Sequence, residues 1–373
     1  MAVRQNHADE GTIMPGSIML YPRHRWKHRC VTVTNGTAMS KRKLTKRQKV
    51  RIQSGQDNAN ALAATPDTRP IDAASLGPEI SGRVISNFGS QLDIEGLEGI
   101  HNASLHRCHK RANVDTLVAG DHVVWRTGEP YGVVVARKPR TSELVRPDIY
   151  GKIRPVAANV DCIAVVFACA PTPYSNLIDR YLVAAEAQGI TPILVANKID
   201  QLTHQNTPKV ERLMANYAKI GYTVIPVSAE TGAGIDALQT YLREHTCIFV
   251  GQSGVGKSSL INHLQPEAKT AVAALSSRRD KGVHTTTASR LYHLQSGGVL
   301  IDSPGIREFS LCHLEADRVI EGFIDFHPYL GHCKFRDCKH LNEPECALLK
   351  AVDKQEILRD RLNNYHQIVS SQD

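Results

Sequence analysis

Nine consecutive residues, Gly251-Gln252-Ser253-Gly254-Val255-Gly256-Lys257-Ser258-Ser259, are the stretch whose types and spacing most plainly do chemistry. Glycines at 251, 254 and 256 let a backbone curl until successive N–H groups point at phosphate oxygens, at the positive end of a following helix. In that pattern Lys257 reaches the β- and γ-phosphates and the Ser258 hydroxyl is a ligand of Mg²⁺. The stretch follows an apolar run, Cys247-Ile248-Phe249-Val250, and leads into Leu260-Ile261-Asn262. Strand, glycine loop and helix therefore come in the order a phosphate-binding loop requires, which a glycine turn with a solvent lysine would not need. A nucleoside triphosphate is implied, but not its base.

The base is named elsewhere. Asn197-Lys198-Ile199-Asp200 directly follows the strand-like run Pro192–Ala196. A carboxylate at Asp200 accepts both N1–H and the exocyclic amine of guanine, a donor pair that adenine lacks on that edge. Asn197 would tie the loop to its neighbours, and the Lys198 stem would lie over the base. Ser228-Ala229-Glu230 follows the run Thr223–Val227 and offers a backbone N–H for guanine O6. Asp302-Ser303-Pro304-Gly305 closes the run Val299–Ile301, where Asp302 would hold Mg²⁺ through water and the Gly305 N–H would meet the γ-phosphate. Between them, Gly282-Val283-His284-Thr285-Thr286-Thr287 reads as the first switch, with Thr286 preferred to Thr285 as the Mg²⁺ contact.

The elements that must position these motifs alternate strand and helix from about Pro155 onward, which argues a largely parallel sheet covered on both faces. Their order is unusual. The guanine loop precedes the phosphate loop by more than fifty residues, whereas an ordinary GTPase has it last. A site of this kind tolerates any chain cut that leaves the strands paired, so the sequence reads as a circularly permuted GTPase.

Two regions flank it. From Ile80 to about Ala136, short strand-like runs (Gly82–Phe88, Gln91–Ile94, Asp121–Arg126 and Gly132–Ala136) broken by Gly, Asn and Asp suggest a small β-barrel. Basic flanks at His106-Arg107, His109-Lys110-Arg111 and Arg137-Lys138 suit an oligonucleotide-binding barrel. Downstream, Cys333, Cys338, His340 and Cys346 give C-x4-C-x-H-x5-C, three thiolates and an imidazole suited to a closed tetrahedral zinc site. His327 and His332 are near enough to compete as the imidazole ligand. Ile357, Leu358, Leu362 and Ile368 recur at helical spacing and suggest one helix over 351–369.

This ordered set (NKID, SAE, GQSGVGKSS, GVHTTT, DSPG, behind a barrel and before a Cys/His cluster) resembles the ribosome small-subunit-dependent GTPase A family over roughly residues 80–360. The resemblance implies a permuted GTPase with an N-terminal oligonucleotide-binding (OB) barrel and a C-terminal zinc domain. It also implies a role in late maturation of the small (30S) ribosomal subunit, with GTP hydrolysis stimulated by that particle and contacts to its rRNA. It favours His340 as the imidazole ligand. GTP/GDP, Mg²⁺ and one structural Zn²⁺ are the expected cofactors. The residue after the DSPG motif is Ile306, where many signalling GTPases carry a water-orienting glutamine; isoleucine cannot position water, which leaves His284 as the best catalytic candidate in the chain, beside Thr286.

The whole-chain properties agree with that reading. The 373 residues suffice for two to three domains, at 42% hydrophobic and 22% charged. No run approaches the ~20 apolar residues that span a bilayer, and no secretory signal is visible, so a cytoplasmic, membrane-free monomer is expected. Net charge is +8, with Lys41, Arg42, Lys43, Lys46, Arg47, Lys49 and Arg51 forming an acid-free block suited to a phosphate backbone. Met39 resembles a natural start. The expected layout is thus an extension of doubtful status (1–38), a disordered basic tail and linker (39–79), an OB-type barrel (80–145), the permuted P-loop α/β domain (146–311) and a mostly helical zinc-binding domain (312–373). The second switch, ending near Arg307, runs straight into that last domain, so closing around GTP is expected to move or order it. The competing reading is a nucleotide-gated rRNA-binding module in which GTP binding, not hydrolysis, is the working step. Intact Lys257, Ser258 and Asp302 weigh against it.

Overall fold

The computed structural model describes residues 76–148, 152–266, 289–302, 311 and 314–371. The N-terminal extension, the basic block and most of the linker lie outside the described residues, as do His284, Thr285, Thr286, Gly305 and Ile306. From Pro78 onward the described chain forms one unit.

β1 (Glu79–Asn87), β2 (Leu92–Gly96), β3 (Leu105–Lys110), β4 (His122–Arg126) and β5 (Gly132–Arg137) build the barrel expected from the short alternating runs. Their order is β1-β2-β3-β5-β4, and β4 returns to pair with β1, closing the ring. β3 and β5 run parallel while the other neighbours are antiparallel. Alternate residues point inward, and Val84, Leu92, Ile94, Cys108, Leu117, Val123, Trp125 and Val134 fill the interior. Trp125 is fully buried, and Gly82 makes room for it: a Cβ there would lie 2.6 Å from the indole. β3 was expected only as a basic flank, and it is a strand whose one buried side chain is Cys108.

A hairpin of β6 (Glu143–Pro147) and β7 (Ile153–Ala158) follows, so the border expected at 145/146 falls inside β6. Next come β8 (Cys162–Ala168), α1 (Ser175–Ala187), β9 (Thr191–Asn197), α2 (Thr207–Ile220), β10 (Thr223–Pro226), α3 (Ile235–Leu242), β11 (Thr246–Val250), α4 (Lys257–Leu264), β12 (Arg290–His293) and β13 (Val299–Asp302). The sheet order is β10-β9-β8-β11-β13-β12, parallel throughout except for β12. β8 shows how the two faces are made. Ile163, Val165 and Phe167 share a core with α1 and α2, and Cys162, Ala164, Val166 and Ala168 share another with α3 and α4. All seven of its residues are buried, as a central parallel strand demands. Local signals set the helix limits: α2 has a proline in its first turn and stops at Gly221 in the left-handed region.

The C-terminal segment comprises α5 (Ala316–Glu321), a 3-10 turn over Ile324–Tyr329, α6 (Ala347–Asp353) and α7 (Arg359–Ser370). The single helix expected over 351–369 is therefore two. α6 ends at Asp353, and Gln355 adopts φ +60, which an α-helix cannot pass through. Apolar spacing continues across the break because α6, the connecting Ile357 and α7 all feed one core, through Ala351, Val352, Ile357, Leu362 and Ile368.

Candidate nucleotide and metal sites

The sequence motifs that lie within the described residues gather at the carboxyl ends of parallel strands on either side of β8, the end at which α/β sheets bind ligands. β11 delivers the glycine loop, β9 the NKID loop, β10 the SAE loop and β13 Asp302. Gly251, Gly254 and Gly256 all have positive φ, at +139°, +84° and +93°. Two of them also leave no room for a side chain. A Cβ at Gly251 would sit 2.1 Å from the Val166 carbonyl oxygen, and one at Gly256 would sit 2.3 Å from Asn197 Nδ2. α4 starts at Lys257, so its first-turn N–H groups and positive dipole end face the loop. Lys257 Nζ donates to the carbonyls of Gly251, at 2.7 Å, and Gln252, at 2.8 Å, which pins the ammonium across the loop. Val255 is buried beneath it, whereas Ser253, Ser258 and Ser259 are exposed.

One side chain joins three motifs. Asn197, buried, donates from Nδ2 to the Val255 carbonyl at 2.9 Å and accepts the Ala229 N–H at Oδ1 at 3.1 Å. The amide thereby holds the phosphate loop, the NKID loop and the SAE loop in one register. Lys198 lies in the left-handed region, with φ +64, and its Nζ donates to the Ala170 carbonyl at 2.9 Å. The Ser228 hydroxyl donates to Asp200 Oδ1, while its oxygen accepts the N–H of Thr231 at 3.1 Å and of Glu230 at 3.3 Å. Asp200 itself is exposed at the surface of the cleft. Burial pushes the Asp302 carboxyl above its ordinary value, and the Lys257 ammonium draws it back. A glycine cradle, a pinned lysine, an exposed hydroxyl at the helix start and a nearby carboxylate fit a triphosphate with its cation.

Cys333, Cys338, His340 and Cys346 bring their four donor atoms within 4.8 Å of one another. A Zn–S bond near 2.3 Å puts two tetrahedral thiolates about 3.8 Å apart. Cys333 Sγ and Cys346 Sγ are 3.9 Å apart, and His340 Nδ1 lies 3.5 Å and 3.4 Å from them. The donor set therefore fits one closed zinc site, with His340 as its imidazole; His327 instead directs Nε2 to the Glu321 carbonyl. Glu343 shapes the loop between the ligands. It accepts the N–H groups of Lys339, Leu341 and Asn342, and these amides, Lys339 foremost, hold its carboxyl down at about 2. No sequence signal marked Glu343 for this part.

What sequence reasoning missed lies between the modules. β12 is too short to show a period, yet it joins β13 to the barrel. Asp179 and Arg361, isolated charges in the sequence, meet in the buried contact between α1 and α7.

A P-loop cradle at the end of β11 and a guanine-type loop on the earlier strand β9, inside one parallel sheet, define a circularly permuted P-loop GTPase carrying a five-stranded barrel. The RsgA GTPase family model matches residues 137–312. A small ribosomal subunit biogenesis GTPase RsgA from Azotobacter vinelandii is 51% identical over 337 residues, covering 89% of this chain and 98% of its own. One from Chromohalobacter salexigens is 53% identical over 335 residues, with the same coverage. Among solved structures, YjeQ from Thermotoga maritima matches with a TM-score of 0.65 at 28% identity, over 79% of this chain and 99% of its own. YloQ, described as a circularly permuted GTPase, matches with 0.62 at 28% identity, over 83% and 97%. The chain belongs to the RsgA GTPase family and is a GTP hydrolase.

Proposed function

We propose that this GTPase acts on the small ribosomal subunit during its late maturation, and that the subunit stimulates its turnover. The observation that carries the reading is the 51% identity to a small-subunit biogenesis GTPase along 98% of that protein, together with an unbroken nucleotide cradle. Gly251 to Ser259 hold the phosphates, Asp200 reads guanine beside the Ser228-Ala229-Glu230 loop, and Asn197 and Lys198 brace that reader; for guanine O6 to take the Ala229 N–H, that N–H must turn from Asn197 Oδ1. Ser258, Thr286 and Asp302 hold Mg²⁺, which when bound neutralises charge on the phosphates. Gly305 contacts the γ-phosphate, and His284 orients water in place of the glutamine that Ile306 replaces. Zn²⁺ on Cys333, Cys338, His340 and Cys346 is structural, because a Cys₃His shell has no open position.

The barrel order β1-β2-β3-β5-β4-β1, with β3 parallel to β5, supports an OB-type module, and its Arg107, His109 and Lys110 strand supports contact with rRNA. The module borders are those read from the sequence, except that the one at 145/146 moves ahead of β6 so that its hairpin with β7 stays whole. Action on ribosomal subunits supports a cytoplasmic location, and we take the protein to be a monomer. Among the described residues no helix is long and apolar enough to cross a membrane. The test is GTP hydrolysis with purified small subunits, large subunits or neither. Stimulation by small subunits alone is expected, and none by either would end the ribosomal reading.

A further inference from the structure

The barrel pairs with the GTPase sheet at β12, and its Ala119-Gly120 turn also accepts the Ala158 N–H at 3.1 Å and Asn159 Nδ2 at 2.8 Å. At one end of β12, Arg290 is the register partner of Ser86 in β1. At the other, His293 Nε2 lies 2.7 Å from Glu95 Oε1 in β2. The second Glu95 oxygen takes the Arg83 guanidinium at 2.9 Å, and Arg83 is the cross-strand partner of Glu95. Burial pushes the Glu95 carboxyl up, but hydrogen bonds from His293 and Arg83 outweigh it and hold it below its ordinary value. The opposite edge of β12 makes four register pairs with β13, and the last is Arg290 with Asp302. A four-residue strand thus has the barrel on one side and the proposed Mg²⁺-holding carboxylate on the other.

The seam is weakly bonded where it could have been strong. β1 and β12 share a single register pair against the four between β12 and β13. Ser86 Oγ and Arg290 Nε are buried there and find no hydrogen-bond partner among the described residues. A small shift of barrel against strand therefore changes what these atoms can reach, and such under-satisfied contacts are where two arrangements come close in energy. The shift would not stay local. Ile85 and Ala119 from the barrel side share one core with Leu291 of β12 and Ile301 of β13.

We propose that Glu95 and His293 form a latch through which the barrel positions β12 and, by its register, Asp302. What the barrel docks on and the nucleotide held by the GTPase site are thereby coupled in both directions. These are positioning residues, acting through the strand. The proposal rests on the reading that the barrel is a docking module, yet its central test needs no docking partner.

Amide hydrogen exchange of the full chain, with Mg²⁺ and either GDP or a non-hydrolysable GTP analogue, reads the coupling directly. In the wild type, exchange of β1 and β2 amides should differ between the two nucleotides by about fivefold or more, the lower end of ordinary coupling. His293→Ala and Glu95→Gln should confine the difference to the GTPase sheet, and His293→Arg, which keeps a donor facing Glu95, should restore it. His293 is half-exposed, so its variants keep the test valid even where Glu95→Gln disturbs the barrel. Barrel amides that ignore the nucleotide in the wild type would overturn the latch, as would a response that survives in both variants. A second arm measures turnover with small subunits. The variants should bind subunits normally with kcat lowered and KM for GTP kept. A wild type that subunits do not stimulate would remove the small-subunit reading, while the exchange result would still decide the latch.

Discussion

Arg361 and Asp179 meet 2.6 Å apart with both side chains withdrawn from solvent, and their ion pair fastens the C-terminal helix α7 to α1 of the GTPase sheet. Arg361 also takes Asp325 at 2.6 Å, and Tyr217 Oη and Asn364 Nδ2 each donate to Asp179 at 2.6 Å. The Phe323 ring lies 4.4 Å from the guanidinium, closing the site from water. Such a pair is weak evidence of net stability against an apolar substitute, but removing one partner strands the others in a dry environment. Arg361→Met should therefore destabilise the full chain by about 3–5 kcal/mol in urea unfolding. Tyr217→Phe deletes one hydrogen bond and should lose only about 1 kcal/mol. The reverse ranking would mean that α7 is held by apolar packing instead.

The zinc-site geometry makes a separate claim. One zinc ion per chain should be found by atomic absorption, and Cys346→Ser should lose it, since Cys346 Sγ contacts both Cys333 and His340. Metal affinity in such a shell is folding free energy, so the loss should expose the 3-10 turn, α6 and α7 to exchange and protease. Nucleotide binding should persist, because among the described residues no zinc-site donor lines the P-loop cradle. Simultaneous loss of GTP binding and zinc would contradict a purely structural ion.

How much of this was legible beforehand follows from distance along the chain. The phosphate loop was readable because backbone at φ +139°, +84° and +93° leaves glycine nearly the sole choice. The Cys/His cluster was readable because its ligands lie within fourteen residues. β3 was not, since Leu105-His106-Arg107-Cys108-His109-Lys110 buries only Cys108 and otherwise looks like a solvated basic run. The Arg361–Asp179 pair spans 182 residues, and the Arg83–His293 approach spans 210. No local pattern encodes contacts so remote. The connection from β13 into the C-terminal segment led to the expectation that closing around GTP moves or orders that segment; the ion pair that ties the same segment to α1 had no sequence signal.

Asp200→Asn tests the proposed base reader. The carboxylate would accept two hydrogens from guanine, and bonds to a charged acceptor are worth about 1.5–3 kcal/mol each. Losing one and misdirecting the other should weaken GTP binding by at least about 100-fold. Asparagine offers one donor and one acceptor, which suits the C2 carbonyl and N1–H of xanthine. Affinity for xanthosine triphosphate should rise as affinity for GTP falls, in fluorescence titrations of the two nucleotides. Parallel loss of both would point to a disturbed loop and not to base reading, since Asp200 also accepts the Ser228 hydroxyl.

Acid should loosen the seam between barrel and GTPase sheet before the rest of the molecule, and the sign follows from Glu95. Its ordinary value is 4.5, and in the folded chain it lies lower because His293 and Arg83 overcome burial. The folded state then binds this proton less readily than the unfolded chain does. The stability contributed by Glu95 is present above the ordinary value and disappears as pH falls through the depressed one. Between about pH 5.5 and pH 3, exchange protection of β1 and β2 should fall faster in the wild type than in Glu95→Gln, which has no charge to lose. Salt should shrink the difference only modestly, because Glu95 is largely buried beside Arg83. Should both proteins lose protection in parallel across that interval, the ionised carboxylate would not be what holds β12 to the barrel. The Ser86–Arg290 register pair, the core shared by Ile85 and Ala119, and the bonds of Ala158 and Asn159 to the Ala119-Gly120 turn would then have to carry the coupling.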